Sequence, residues 1–574
     1  MSVDSSYMLT ISAAIAVAPR LYRRLLLSRA KHRSLRGHAK WARRVARLIK
    51  FFEYDEDSFF VSDAAPEAVA RLRRAGLERL RRQVQQSSPT TVRMNESLQE
   101  DVSDVRFTAA YRVPFPYRNQ VPRELRCGSI VDQTRGVQIR DIDGNWRYDL
   151  SGSYGVNVFG YDFYKDCIAK GSAKVERLGP VLGPYHPLIR QNVERLKALS
   201  GLDEVSFHMS GTEAVMQAVR LARYHTRRTH LVRFCGAYHG WWDGVQPGVG
   251  NGRKIDDVYT LADLSDRSLR VLERRDDIAC ILINPLQALH PNAESPGDGT
   301  LIASDRTACF DRARYTEWLT RIRDVCRRRK IVLIFDEVFT GFRLAYRGAQ
   351  EYFGVQADMV TYGKTLGGGL PVGVLCGRRE LMKRYRDDAP ADISFARGTF
   401  NSHPYVLGAM HEFLERLQSP EIQRRYDGLD ALWNARVAAL NRRLEDSELP
   451  VRVANMQTVL TVLYETPSRY NWMFQFYLRA EGLEVGWIGS GRFIMSLDYS
   501  DDDFREVVER FVRAARRMKQ DQWWWWSPGL TNQAIKGMMT RGMLGARFPW
   551  LRKLLSPPAV AGRARYVEEV EQHG

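Results

Sequence analysis

Apolar and polar positions in the middle of the chain form alternating blocks, which predict strands separated by helices. The unbroken apolar run from Ile331 to Phe335 predicts a strand that is buried on both faces of a parallel sheet. Similar short runs predict further strands over residues 230–234, 280–284, 359–362 and 372–377. Segments with apolar positions three or four residues apart predict helices over residues 186–199 and 312–329. This succession of strands and helices is typical of an α/β fold.

Two other regions have different patterns. Residues 136–161 alternate around an Asp-Gly turn, which predicts a β-hairpin. Residues 421–518 predict a helix, several strands and a second long helix, an order that suits a small α+β domain. We therefore expect a small α+β domain beside the large α/β domain.

The first hundred residues differ from the middle of the chain in charge. Residues 20–50 contain twelve Lys or Arg and no acid, with apolar side chains at near-helical spacing. This pattern predicts an amphipathic helix on an anionic surface, which could be lipid, nucleic acid or an acidic protein. The alternative is a solvated basic helix that packs on the core. A second helix is predicted over residues 66–85, and a linker with a domain boundary is predicted near residue 100.

The C-terminal segment is rich in tryptophan. Residues 523–530 have the sequence WWWWSPGL, and the residues that follow mix Trp, Met and Leu with Lys and Arg. This composition is typical of a membrane interface, and it fits equally well a hydrophobic arm that packs on the core. Residues 7–18 are apolar but too few to span a bilayer, so no transmembrane helix is predicted. We expect residues 100–520 to work without either extension.

Length and composition restrict the class of protein. The chain has 574 residues, 44% of them apolar, and a formal net charge of +19. A chain of this length can form two or more domains with a large core. The seven cysteines lie far apart and form no cluster at metal-ligand spacing, so neither a disulfide framework nor a zinc site is predicted. We expect a reducing compartment, the cytoplasm.

One acid and one lysine follow two of the predicted strands. Asp336 stands at the carboxyl end of the strand 331–335, where open α/β sheets bind their ligands. Lys364 follows the strand 359–362 and precedes three glycines, which let backbone approach a bound group. The pair suits pyridoxal phosphate, whose aldehyde is held by a lysine and whose ring nitrogen is kept protonated by a carboxylate. The alternative is an ordinary salt bridge and a solvated lysine.

A phosphate site is predicted between a strand and a helix. Ser210, Gly211 and Thr212 stand at this turn, where the free amides and the positive dipole end of the helix can hold an anion. The alternative is a simple Ser/Thr cap. Thr399, which precedes another predicted helix, could reach a second side of the phosphate.

An aromatic side chain follows the predicted strand 230–234. Tyr238 and His239 lie there in a glycine-rich loop, and an aromatic ring at this place could stack on a planar cofactor. The alternative for Tyr238 is ordinary core packing, the commoner role of an aromatic residue.

Four motifs occur in one order along the chain: SGTEA at 210, AYHG at 237, DEVFTGFR at 336 with GK at 363, and GTFNSHP at 398. Over about residues 105–518 the chain resembles class-III aminotransferases, which are pyridoxal-phosphate enzymes of fold type I. It is most similar to the glutamate-1-semialdehyde aminomutase branch and to the aminotransferase units of polyketide and peptide synthases. The resemblance implies a large domain with a mostly parallel seven-stranded sheet, a small α+β domain, and extra helical extensions at both ends.

These expectations divide the chain into five segments. They are a basic helical extension over 1–104, the N-terminal part of the small domain over 105–185, the large cofactor-binding domain over 186–410, the C-terminal part of the small domain over 411–520, and a Trp-rich basic tail over 521–574.

Carried over by position, the resemblance implies a role for each motif residue. Lys364 would bind the cofactor covalently, Asp336 would pair with the pyridine nitrogen, and Val338 would pack under the ring. Tyr238 would stack above the ring, with His239 nearby. The phosphate would be bound by Ser210, Gly211 and Thr212 and, in a homodimer, by the partner's Thr399.

Two positions depart from the family pattern. Phe339 stands where many class-III aminotransferases have a glutamine directed at the cofactor's ring oxygen, although the aminomutase branch is also apolar there. Asn284 stands where the family usually has the acid of Glu-Pro-Val. Because this carboxylate is missing, the family's pocket for the amine donor cannot be carried over to this chain by position.

The predicted reaction is the transfer of an amino group from an amine or amino acid to an aldehyde or ketone. The acceptor could be a small molecule, a lipid-like acyl chain, or an acyl group on a carrier protein, and the extensions could attach the enzyme to the inner face of an anionic membrane. One alternative is an aminomutase, which moves the amino group within one molecule. A distant alternative is a surface- or nucleic-acid-binding protein with a relic enzyme core; the intact Asp336 and Lys364 argue against it, and no base-reading motif is present.

Overall fold

The computed structural model describes residues 18–30, 47–118, 120–121, 125, 128–235, 237–245, 253, 255–285, 310–486 and 492–551. It divides into two compact units. The first contains the described residues of 1–43, 167–289 and 311–423, and the second those of 44–166, 290–310 and 424–574. The five segment boundaries expected from the sequence remain predictions.

The first unit contains a seven-stranded sheet. In chain order its strands are β1 (Glu204–His208), β2 (His230–Phe234), β3 (Val258–Leu261), β4 (Ile278–Ile283), β5 (Val332–Asp336), β6 (Met359–Gly363) and β7 (Gly373–Gly377). They lie in the order β1-β7-β6-β5-β4-β2-β3. Only β7 runs antiparallel to its neighbours, β1 and β6. The predicted α/β fold with a mostly parallel seven-stranded sheet is confirmed.

The central strands are buried along their whole length. Every residue of β4, β5, β6 and β7 is buried, as expected for strands of a parallel sheet that is covered on both faces. The helices of this unit are 18–29, Leu188–Ser200, Gly211–Thr226, Asp266–Arg274, Arg312–Arg329, Ala349–Phe353, Arg379–Met382 and Pro404–Leu417. Two more helices, Tyr161–Val175 and Pro420–Arg424, are divided between the units.

The second unit contains two smaller sheets. The antiparallel strands Val131–Arg135, Gln138–Asp141 and Trp146–Asp149 are joined by Leu483–Glu484, which runs parallel to Trp146–Asp149. The strands Val451–Met456, Val459–Tyr464 and Arg492–Ile494 form an antiparallel sheet. The helices are Glu56–Phe60, Glu67–Ser87, Pro89–Asp101, Ser103–Tyr111, Gly152–Gly155, Leu429–Asp446, Phe474–Ala480, Asp501–Gln520 and Asn532–Arg547. The predicted hairpin is therefore confirmed over residues 138–149.

The predicted linker near residue 100 is wrong. The helices Pro89–Asp101 and Ser103–Tyr111 occupy this stretch. Two of the amides at the start of the first helix, those of Thr90 and Thr91, donate to the Asp143 carboxylate over 2.9 and 2.8 Å. A carboxylate far away in the sequence thus satisfies amides that a helix start leaves without intrahelical partners. Nothing in the local composition indicates this contact.

The Trp-rich segment packs on the core of the second unit. Trp523 is 0% exposed and Trp524 is 6% exposed, and both belong to one apolar cluster with Phe59 and Phe60. The Trp523 indole donates to the Tyr477 hydroxyl over 2.8 Å. For these two tryptophans the packed-arm alternative is correct, because a fully buried side chain cannot contact a membrane.

A buried arginine, Arg73, links a segment from before residue 100 to one from after residue 520 within this unit. Arg73 and Asp63, whose side chains are both 0% exposed, are 2.7 Å apart, and Arg73 Nε also donates to the Gln522 carbonyl over 2.9 Å. Breaking a buried pair of this kind leaves an uncompensated charge. Residues from before 100 and from after 520 thus contribute to the core of this unit. This packing counts against the expectation that residues 100–520 work without the extensions, which stays a prediction.

We expect Trp523→Ala to lower the free energy of unfolding by about 3–5 kcal/mol, because it leaves a large cavity in the core. Urea unfolding followed by circular dichroism measures the change. Trp526→Ala is the matched control, since Trp526 is 46% exposed, and a change at an exposed site is expected to stay within about 0.5 kcal/mol. Equal effects of the two substitutions would contradict the packing described here.

Only part of the basic N-terminal segment lies among the described residues. Residues 18–29 are helical, and the carbonyl of Ala30 accepts a hydrogen bond of 2.8 Å from Ala262 N. Residues 31–46 lie outside the described part, so the anionic surface remains a prediction. Among the described residues, no helix is long and apolar enough to cross a membrane. The cysteines that the structure describes are buried and form no disulfide with one another.

Candidate functional site

Asp336 is the last residue of β5 and is 3% exposed. Its Oδ2 lies 2.7 Å from His239 Nδ1, and its Oδ1 accepts hydrogen bonds of 3.2 Å from Val338 N and from Thr361 Oγ1. His239 follows β2 and is itself 1% exposed. The sheet topology brings the ends of β2 and β5 to the same edge, and His239 and Val338 N hold the carboxylate in one orientation.

Lys364 follows β6 and begins a short 3-10 helix, Lys364–Gly367. Its backbone has a φ of 47°, a left-handed conformation that is costly for a residue with a side chain and is often found at functional sites. Burial lowers the pKa of its ammonium to about 8; the charge of Asp336 opposes this shift and that of Arg343 adds to it. Lys364 can therefore lose its proton near neutral pH.

The helix Gly211–Thr226 begins at the same edge of the sheet. Ser210 is its N-cap, and the Ser210 hydroxyl accepts a hydrogen bond of 3.3 Å from Glu213 N. A Cβ atom on Gly211 would lie only 2.7 Å from Val338 Cγ1, so this position has room only for glycine. Gly211 thus lies directly against the segment that follows Asp336, and Thr212 lies beside Gly240, in the loop that contains His239.

Tyr238 lies beside this group and presents its ring to the surface. It is 60% exposed. The pKa of its hydroxyl is raised by partial burial and by the charge of Asp336. The exposed ring is free to stack on a bound planar group.

Thr399 is the predicted site residue that the contacts above do not include. It is exposed and lies in a turn that precedes the helix Pro404–Leu417. Its neighbour Gly398 lies near Glu213, because a Cβ on that glycine would be 3.7 Å from Glu213 Oε2. A role of Thr399 in the site of a second subunit, as the resemblance implies, remains a prediction.

Two functional candidates were not singled out from the sequence. Thr361, on the adjacent strand, donates a hydrogen bond to the Asp336 carboxylate. Glu337 lies in the loop after β5, and its carboxylate accepts hydrogen bonds from Ala349 N (2.6 Å) and Gln350 N (3.2 Å). Burial raises the pKa of Glu337 to about 8. A second acid directly after Asp336, and a threonine within an apolar strand, are the sequence signals that could have indicated them.

The family comparison agrees with this geometry. Residues 121–250 and 310–515 match the family model for class-III aminotransferases. The chain belongs to the class-III aminotransferases. This finding confirms the resemblance drawn from the four motifs.

The curated relatives of this class-III aminotransferase include glutamate-1-semialdehyde 2,1-aminomutases. That of Alkaliphilus oremlandii is 33% identical over 321 residues, which are 53% of this chain and 70% of that protein. Among solved structures, a glutamate-1-semialdehyde aminomutase from Pseudomonas aeruginosa PAO1 superposes with a TM-score of 0.61 at 18% identity, over 78% of this chain and 99% of that chain. A transaminase with PLP bound superposes with a TM-score of 0.57 at 24% identity, over 72% and 94%. The fold is that of type I pyridoxal-phosphate enzymes.

The cofactor of this class-III aminotransferase is pyridoxal 5′-phosphate, and the site fits it. Lys364 can be neutral near neutral pH, and Asp336 is buried and oriented. The helix start at Gly211, whose amides can hold a phosphate, lies against the segment that follows Asp336. His239 Nε2 is buried and has no hydrogen-bond partner among the described residues. These features match a group with an aldehyde, a ring nitrogen and a phosphate.

Proposed function

We propose that this protein moves an amino group from an amine or amino-acid donor to an aldehyde or ketone acceptor. The observation that carries the proposal is the pair formed by Lys364, whose ammonium pKa is lowered to about 8 by burial, and the buried, oriented Asp336. When bound, the cofactor takes up the electrons that the substrate carbanion releases. The chain must supply a proton carrier and a fixed negative charge for this chemistry.

Lys364 has the first of these tasks in our proposal. Its Nζ would hold the aldehyde of the cofactor and would carry the substrate's α-proton. A base works best when its pKa lies near the working pH, and a pKa of about 8 meets this condition.

Asp336 has the second task. Its charge keeps the ring nitrogen protonated, and His239, 2.7 Å from Oδ2, keeps the carboxylate aimed. In our proposal Val338 would pack against one face of the cofactor ring and Tyr238 would stack on the other.

The phosphate is held without a cationic side chain. In our proposal Ser210, Gly211 and Thr212 bind it at the start of the helix Gly211–Thr226, where free amides and the helix dipole favour an anion. The partner's Thr399 completes the site in a homodimer; the exposure of this residue supports such a role.

The second candidate is a 2,1-aminomutase. It is favoured by the names of the curated relatives, several of which are glutamate-1-semialdehyde 2,1-aminomutases. An aminomutase moves the amino group from carbon 2 to carbon 1 of one molecule and needs no separate donor. The residues described above would serve both reactions.

The test is a single turnover with one substrate at a time. Cofactor-loaded protein is mixed with an amino acid or amine alone. The conversion of the bound cofactor to pyridoxamine 5′-phosphate is followed by absorbance and mass spectrometry. Conversion with release of a keto product supports amino transfer. Isomerisation of glutamate-1-semialdehyde without any donor supports the aminomutase. If neither occurs with a broad set of amines, the proposal is wrong.

An acyl group on a carrier protein, a lipid-like chain, an anionic membrane partner and a cytoplasmic location all remain predictions from the sequence. The burial of Trp523 and Trp524 counts against the membrane. We do not propose nucleic acid as a partner.

A further inference from the structure

Phe339 lies against the two cations of the candidate site. We propose that Phe339 is a positioning residue whose ring binds the ammonium form of Lys364 when the lysine is not bound to the cofactor. This inference rests on the proposed function, in which Lys364 is the cofactor lysine and the base. It gives a role to a position where the family resemblance indicated only a missing glutamine.

The distances support the contact. Lys364 Nζ lies 4.8 Å from the centroid of the Phe339 ring, and the guanidinium carbon of Arg343 lies 5.0 Å from the same centroid. Both are within the 6 Å or so at which a cation is attracted by the face of an aromatic ring. Phe339 is 5% exposed and Arg343 is 0% exposed, and such contacts are stronger when they are desolvated.

The contact acts on the protonation of Lys364. Burial lowers the pKa of this ammonium, the charge of Asp336 raises it, and the charge of Arg343 lowers it. The ring face favours the charged form, so Phe339 acts in the same direction as Asp336. Without the ring, only Asp336 would oppose the effects of burial and of Arg343, and the pKa of Lys364 would fall further below the ordinary value of a lysine.

Other titratable groups at the site restrict the choice of measurement. Asp336 is bonded to His239, and burial raises the pKa of the adjacent Glu337 to about 8, in the same range as Lys364. A pH profile of activity would combine these groups. The test must therefore report the protonation of Lys364 alone.

Competitive labelling provides such a test. Cofactor-free, full-length protein is treated with trace acetic anhydride between about pH 6 and pH 11, which spans the ordinary lysine pKa, and acetylation of Lys364 is quantified by mass spectrometry. Only the neutral amine reacts, so the profile gives the pKa of this lysine. We expect Phe339→Leu to lower it by about one unit. Phe339→Tyr, which keeps the ring, should leave it nearly unchanged.

Phe342→Leu is the matched control. Phe342 is in the same loop and is 1% exposed, and its ring packs on Tyr362 and Phe413 at 5.4 and 5.3 Å. The Phe342→Leu substitution should remove a similar amount of packing without changing the pKa of Lys364. Phe339→Met, whose flexible side chain fills the same space, serves if the leucine variant does not fold. An unchanged Lys364 pKa on loss of the Phe339 ring, or an equal fall in Phe342→Leu, overturns the inference.

A parallel experiment separates this inference from the proposed function. Pyridoxal 5′-phosphate is added to the parent protein, fixed with borohydride and located by mass spectrometry. Absence of the cofactor from Lys364 would overturn the proposed function, whatever the labelling shows. Attachment at Lys364 together with an unchanged pKa in Phe339→Leu would overturn the role of Phe339 alone.

Discussion

We expect Lys364→Ala to abolish turnover and to leave weak binding of pyridoxal 5′-phosphate. The covalent link and the base are lost together, whereas the helix start at residues 210–212 still offers its amides to the phosphate. Loss of borohydride fixation at this position and a fluorescence titration with the cofactor measure the two effects.

Lys197→Ala is the control for this experiment. Lys197 is on the helix Leu188–Ser200, outside the group of side chains around Asp336, and alanine is a good helix former. Its replacement should leave turnover and fixation unchanged. Normal turnover in Lys364→Ala would exclude this lysine as the cofactor residue.

Asp336→Asn should lower turnover by several orders of magnitude with only a modest loss of cofactor affinity. Asparagine keeps the shape of the side chain but has no charge to hold the ring nitrogen protonated. Steady-state rates, with the cofactor affinity measured separately, give the result. A rate within about tenfold of the parent, roughly 1.4 kcal/mol in the barrier, would mean that Asp336 is not the ring partner.

Thr361→Val is the matched control for Asp336. It removes the 3.2 Å hydrogen bond to Oδ1 without changing the charge of the carboxylate. The bond from His239 to Oδ2 and the bond from Val338 N remain. We expect its rate to stay within about tenfold of the parent, or about 1.4 kcal/mol, so that a large effect of Asp336→Asn reports the charge and not the orientation.

The Trp-rich segment illustrates where sequence reasoning reaches its limit. Its composition fits a membrane interface and a packed arm equally well, because hydropathy does not say which apolar surface a side chain meets. The structure decides between these two interpretations. Phe59 and Phe60, hundreds of residues earlier in the chain, belong to the same apolar cluster as Trp523, and the Tyr477 hydroxyl, from another helix, accepts the hydrogen bond of the Trp523 indole. The same holds for the amides at the start of the helix Pro89–Asp101, which are satisfied by Asp143.

The sequence by itself determined the succession of strands and helices, the α/β class, the family, and the two residues on which the proposed chemistry depends. These follow from signals that are local in the chain: apolar runs such as Ile331 to Phe335, and short motifs around Asp336 and Lys364. Periodicity and motif spacing are properties of neighbouring residues, so they can be read without the fold.

Only the tertiary structure decided how those residues work together. His239 and Asp336 are 97 positions apart and meet because β2 and β5 end at one edge of the sheet. The lowered pKa of Lys364 depends on its burial and on the charges of Asp336 and Arg343, and the contact with Phe339 depends on the path of the loop after β5. Burial and the pKa shifts that it causes depend on groups that are close in space but distant in sequence. They can therefore be determined only from the tertiary structure.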